Sequence, residues 1–184
     1  STLNPAVQDF LWSLLGMLIT PIIMARIRLV GLYQILSMSI DRDVLDKSPL
    51  LQNMSNYQRR KAILISELHE FEKGELLVEQ DTIGRSMHLI LSGEAQVIRR
   101  DANASRLLAT LKPGQVFGEV GYISETERTA DVVATEKLSA LRFNYERMEK
   151  DLKFFPNIVA KLNFNISYIL GERLADMVEN SKNK

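Results

Sequence analysis

In the stretch FGEVGYISETERTADVVA, residues 117–134, Glu119 and Arg128 stand nine positions apart with glycines close by. A guanidinium can hold two oxygens of a phosphate in a fork. Backbone N–H groups at a helix start attract an anion, and glycine lets a ligand come close. A carboxylate beside them accepts a hydrogen bond from a sugar hydroxyl, so one group carrying both phosphate and ribose would answer both charges. The simpler reading is an ion pair that closes a loop, worth about 0–1 kcal/mol if exposed. Three neighbouring signals favour the cradle: Pro113-Gly114-Gln115-Val116-Phe117-Gly118-Glu119 at the end of a strand, the loop itself, and Arg128-Thr129-Ala130 opening the next strand.

Other chemistry is sparse. His69 and His88, the only histidines, are nineteen residues apart and lack the spacing that puts two nitrogens on one metal. They read as ordinary strand histidines, and no metal site is expected. No nucleophile elbow, P-loop or dinucleotide fingerprint follows a strand, and the chain does not read as an enzyme. The absence of cysteine removes disulfides, thiolate sites and cysteine nucleophiles together. The 23 basic and 23 acidic residues are mixed along the chain and cancel, so no nucleic-acid footprint is present and no nucleic-acid partner is expected.

The elements that must hold the pair are legible from periodicity. Ser48 before Pro49 marks a helix start, and Ser55 with Gln58 forms a capping box for a second helix running to about residue 68. The period then changes to two. Candidate strands cover 76–79, 87–91, 94–99, 107–111, 130–134 and 138–143, with Lys73-Gly74, Ser92-Gly93, a polar turn at 101–105 and Lys112-Pro113-Gly114 between them. Many short strands with glycine turns predict an α+β fold: an antiparallel, jelly-roll-like β-roll with flanking helices. After Pro156, Val159, Leu162, Ile166, Leu170, Leu174 and Met177 form a helical stripe that needs a surface to cover it.

The first residues differ. Residues 10–25 carry sixteen positions without a charge, ahead of Arg26 and Arg28. As a helix they would span about 24 Å, whereas a bilayer core needs about 30 Å. Three readings compete: a signal peptide, a buried helix kinked at Pro21, and the end of a transmembrane helix with the arginines on the cytoplasmic side. The third is preferred, and the segment is similar to the last helix of multi-spanning transporters of the resistance-nodulation-division type. Leu29, Leu32, Leu36 and Ile40 continue with helical spacing. The domain reading is therefore 1–47 apolar helical segment and linker, 48–152 β-roll with leading helices, and 153–184 C-terminal lid helix.

Residues 48–177 resemble the cyclic nucleotide-binding domains of the catabolite activator protein, the regulatory subunits of cyclic-AMP-dependent kinase and cyclic-nucleotide-regulated channels. The resemblance rests on Phe71-x-x-Gly74, Leu91-Ser92-Gly93, Pro113-Gly114-x-x-Phe117-Gly118-Glu119 and Arg128-Thr129-Ala130. It implies a ligand, cAMP ahead of cGMP, held in a cassette of Phe117, Gly118, Glu119, Val120, Arg128, Thr129 and Ala130. By it, Glu119 takes the ribose 2′-hydroxyl and Arg128 the cyclic phosphate, with Thr129 and cassette amides on the remaining oxygens. Running the comparison forward puts Arg173 and Leu174 where the last helix caps the base, and Ile169 where the activator has a polar contact. Tyr122 replaces a usual leucine, and Gln80 a turn glycine. The expected role is a regulatory module at the cytoplasmic face of a membrane, with a membrane domain and a second copy, docked through the apolar N- or C-terminal helices, as partners. The alternatives are a nucleotide-free domain of the same fold used for assembly, and a cupin-like metalloenzyme.

Overall fold

The computed structural model describes residues 42–182. The apolar segment 10–25 and the run that follows it, on which the transmembrane reading rests, lie outside the described residues. Among the described residues no helix is long and apolar enough to cross a membrane.

The chain enters through α1 (Arg42–Lys47) and a 3-10 turn (Pro49–Leu51). Proline does open a turn after Ser48, as its fixed φ favours. It stops after three residues because Gln52 is extended. In α2 (Asn56–Ile65) the capping box forms as expected: Gln58 N–H donates to Ser55 Oγ at 3.3 Å and Ser55 N–H donates to Gln58 Oε1 at 2.9 Å. The helix ends at Ile65 rather than near 68, since Ser66 is extended and residues 67–71 leave to pair in a sheet.

Eight strands follow: β1 (Glu67–Phe71), β2 (Leu76–Val78), β3 (Ser86–Ser92), β4 (Ala95–Asp101), β5 (Ala104–Leu111), β6 (Val116–Phe117), β7 (Asp131–Ala134) and β8 (Leu138–Asn144). A short α3 (Glu119–Ser124) interrupts them, and α4 (Tyr145–Asp151) and the long α5 (Pro156–Lys182) close the chain. The strands form two antiparallel sheets of four, ordered β1-β8-β3-β6 and β2-β7-β4-β5. This is the α+β roll that the periodicity predicts.

One strand shows how the layers are made. β3 is buried along SMHLIL, because both of its faces are covered, which is why it reads as a nearly continuous apolar run. Met87, Leu89 and Leu91 point to a helical core with Leu50, Leu51, Ala62, Phe143, Leu152 and Leu162. Ile90 points instead into the roll, against Val78, Ala95, Phe117, Val132 and Ala140.

The first half of α5 supplies the helical core with Ile158, Leu162, Ile166 and Ile169. Buried Asn165 stands among them and donates from Nδ2 to the carbonyls of Leu50 (2.8 Å) and Gln52 (2.9 Å), satisfying two acceptors of the 3-10 turn. Beyond it the expected stripe comes away from the body: Leu174 and Met177 are 63% and 70% exposed.

Candidate functional site

β6 is fixed against β3 by the register His88↔Phe117, and the two rings stack with centroids 4.8 Å apart. The chain then turns at Gly118, whose φ of 77° lies in the left-handed region that glycine adopts without penalty. That turn launches α3 with Glu119 as its first residue, 3% exposed. Arg128 arrives from the loop before β7. Its backbone is clamped to the β2–β3 connection: Arg128 N–H donates to Thr82 O, and Asp81 N–H donates to Arg128 O, each at 2.9 Å.

The Arg128 guanidinium is 7% exposed. Nη1 donates to Gly118 O at 2.8 Å, and Nη2 donates to Ser86 O at 2.6 Å and Ser86 Oγ at 3.1 Å. A Cβ placed on Gly118 or on Gly121 would stand 2.8 Å from Nη1. The two glycines therefore clear room for the arginine, where their spacing alone suggested close approach of a ligand. Sequence reasoning missed Ser86, and it met Gly121 only as a motif residue without reading its place beside Arg128. Ser86 sits 42 residues from Arg128 in the chain, and only the fold brings them together.

Glu119 and Arg128 make no ion pair with one another among the described residues. The partner of Glu119 is Arg173, on α5, whose Nη1 donates to Glu119 Oε1 while Nη2 donates to Val116 O. Glu119 Oε2 is buried with no hydrogen-bond partner. Among the described residues no carboxylate is bonded to Arg128 in turn. Burial, then the nearby Arg142 guanidinium, push Arg128 below its ordinary pKa, and the charge of Glu119 opposes them. Phe117 and Ala130 are buried beside the pair, whereas Val120 and Thr129 are exposed at its rim. The structure thus gathers Glu119, Arg128 and Arg173 about Gly118, and sets Leu174 outside, facing solvent.

A left-handed glycine turn, a buried carboxylate and a buried guanidinium on a two-sheet roll are what the family comparison then meets. Residues 68–153 match the family model described as Cyclic nucleotide-binding domain. The chain carries a cyclic nucleotide-binding domain.

Relatives agree with this. The cAMP-dependent protein kinase regulatory subunit of Eremothecium gossypii is 36% identical over 96 residues, 52% of this chain and 20% of that protein. The Cyclic AMP receptor protein of Thermus thermophilus is 29% identical over 119 residues, covering 62% of this chain and 55% of its own. Among solved structures, the Thermus thermophilus catabolite activator protein superposes with a TM-score of 0.66 at 25% identity, over 73% of this chain and 62% of that one. A cyclic nucleotide-binding domain from Methylobacillus flagellatus shares the fold, with a TM-score of 0.68 at 20% identity over 75% and 78%. The chain spans about a fifth to a quarter of the kinase regulatory subunits it matches. The kinase relatives are named as regulatory subunits.

Proposed function

We propose that this cyclic nucleotide-binding domain binds a cyclic nucleotide, cAMP in preference to cGMP, at Glu119 and Arg128 and reports it through α5. The observation that carries the proposal is the buried, unpartnered Oε2 of Glu119. A carboxylate oxygen left without a donor in the interior costs about 1–3 kcal/mol or more, and a ribose hydroxyl is a donor of the right kind. Arg128 complements it. Of the five guanidinium N–H groups, three are engaged with Ser86 and Gly118, which leaves two for oxygens of a cyclic phosphate. Exposed Thr129 offers a hydroxyl at the rim. The preference for cAMP leans on relatives that carry that nucleotide in their names.

Signalling follows from Arg173. Its grip on Glu119 ties α5 to the cassette, so a ligand that rearranges Glu119 changes where α5 rests, and its differential affinity for the two positions sets how much signal it can send. In this reading Arg173 is a latch first, and any stacking on the base requires it to let go. The uncovered face of α5 is the proposed contact with a second copy. Residues 1–47 are proposed to lead from a membrane domain, which would hold the module at a cytoplasmic face. The domain used for assembly without nucleotide has one feature in its favour: Arg173 already occupies half of Glu119.

Calorimetric titration of cAMP and cGMP into wild type, Arg128→Leu and Glu119→Ala separates the two. Loss of the phosphate partner should weaken binding by about 2–5 kcal/mol, and cAMP should bind more tightly than cGMP. Equal affinities in the three proteins would refute the site, and no heat with wild type would leave the assembly reading.

A further inference from the structure

The roll holds a second feature, which shares Arg128 and Ser86 with the candidate site but extends away from Glu119. Between the two sheets, beside β1, β2, β3 and β8, lies an open cavity of about 320 Å³. Arg128 forms part of its wall, but Glu119, Thr129 and Arg173 do not. Its other polar lining is His69, His88, Arg142, Glu79, Thr82 and Ser86. His88 and Arg142 face one another across the β3–β8 register. His88 is 4% exposed, and its Nδ1 is buried without a hydrogen-bond partner. Arg142 has only a long contact to a carboxylate, Glu67 Oε2 at 3.9 Å, and Glu67 is held more closely by Arg147 at 2.6 Å.

Two guanidiniums and two imidazoles thus line one chamber with a single carboxylate, Glu79. Like charges gathered at one chamber repel, and the water that reaches an open chamber weakens that repulsion without removing it. Burial and then the charges of Arg142, Arg128 and His69 hold His88 neutral, and a neutral ring can still present an N–H at Nδ1. Arg142 likewise acts against Arg128. An anion between them would relieve the repulsion.

We propose that the lumen of the roll is a second ligand site, for a small oxyanionic metabolite bearing carboxylate or phosphate groups, held by Arg142 and His88 and touching the lumenal side of Arg128. The two sites then share one arginine. An anion in the lumen neutralises part of the charge that the cassette offers, so it lowers affinity for a cyclic nucleotide, and by linkage the nucleotide lowers affinity for the anion equally.

The test uses citrate and inorganic phosphate as probes, at matched ionic strength set with chloride, on the full chain. Thermal denaturation should show a rise of about 5 °C when the anion stands about a hundredfold above its Kd. The rise should vanish in Arg142→Gln and His88→Phe and persist in Glu119→Gln, a cassette variant. Citrate alone acting identifies a carboxylate ligand, and phosphate alone a phosphorylated one. No rise in wild type, or a rise kept in Arg142→Gln but lost in Glu119→Gln, would overturn the proposal. Should a variant fail to fold, the wild-type imidazole nitrogen spectrum decides: the His88 Nδ1 resonance must move on addition of the anion, and an unmoved resonance refutes the site. Because Arg142 and His88 lie outside the cassette, failure of nucleotide binding would leave the anion result standing and remove only the coupling between the sites.

Discussion

At the scale of single residues, the cassette is built around an arginine before it is built around a ligand. Gly121 shows this most directly. A Cβ there would lie 2.8 Å from Arg128 Nη1, 3.2 Å from its Cζ and 3.2 Å from Gly84 O, and the guanidinium has no slack while it is bonded to Ser86 and Gly118. Gly121→Ala should therefore cost about 1–3 kcal/mol in urea denaturation and reduce affinity for cyclic nucleotide more than that loss accounts for. A second consequence belongs to His88. Burial, with the Arg142 and Arg128 guanidiniums and His69 nearby, pushes its pKa from 6.5 down to about 3. Between those values the unfolded chain binds a proton that the folded chain does not. Stability is thus complete above pH 6.5 and falls as the pH drops toward 3, by at most about 1.4 kcal/mol per pH unit. Urea midpoints measured from pH 7 to pH 4 should fall for wild type and be flatter for His88→Phe.

At the scale of elements, legibility tracked how local the cause was. The capping box of α2, the glycine turns and the start of α5 at Pro156 depend on neighbours within a few positions, and the structure places them as the sequence suggests. β1 did not announce itself: in ELHEF the only apolar residues, Leu68 and Phe71, stand three apart and serve opposite faces, and it becomes a strand because β8 pairs with it from Glu67↔Arg142 to Phe71↔Leu138. β6 has two residues, too few for any period. α4 rests on a cap, Asn144 Oδ1 accepting from Arg147 N–H at 3.0 Å, which went unread beside the longer signals. The site divides the same way. Glu119 and Arg128 were visible from spacing, but the Ser86 carbonyl and the reach of Arg173 to Glu119 are long-range facts. That reach yields a prediction for α5. Arg173→Ala should speed amide hydrogen exchange over residues 170–182 while leaving residues 158–166, which pack in the helical core, protected. Uniform exchange along the helix in wild type would contradict a latch.

At the scale of the whole molecule, α5 carries the largest group of exposed large apolar side chains on any one element among the described residues. Phe164, Tyr168, Leu174, Met177 and Val178 are 47–70% exposed along α5, and contiguous apolar surface of this kind marks contact sites. Sedimentation velocity of the full chain should show a dimer that Leu174→Lys with Met177→Lys converts to monomer; a wild-type monomer at high micromolar concentration would exclude the α5 contact. The buried amide of Asn165 bears on how such an assembly could respond. Pinned to the carbonyls of Leu50 and Gln52, it makes α5 a beam supported at an intermediate point, with the Arg173 latch and exposed Leu174, Met177 and Val178 beyond that support. A support there turns a small displacement at the cassette into a larger one at the far end, and loads the 3-10 turn with the reaction. The stretch entering the fold at residue 48 and the end of α5 would thus feel the same event with opposite leverage.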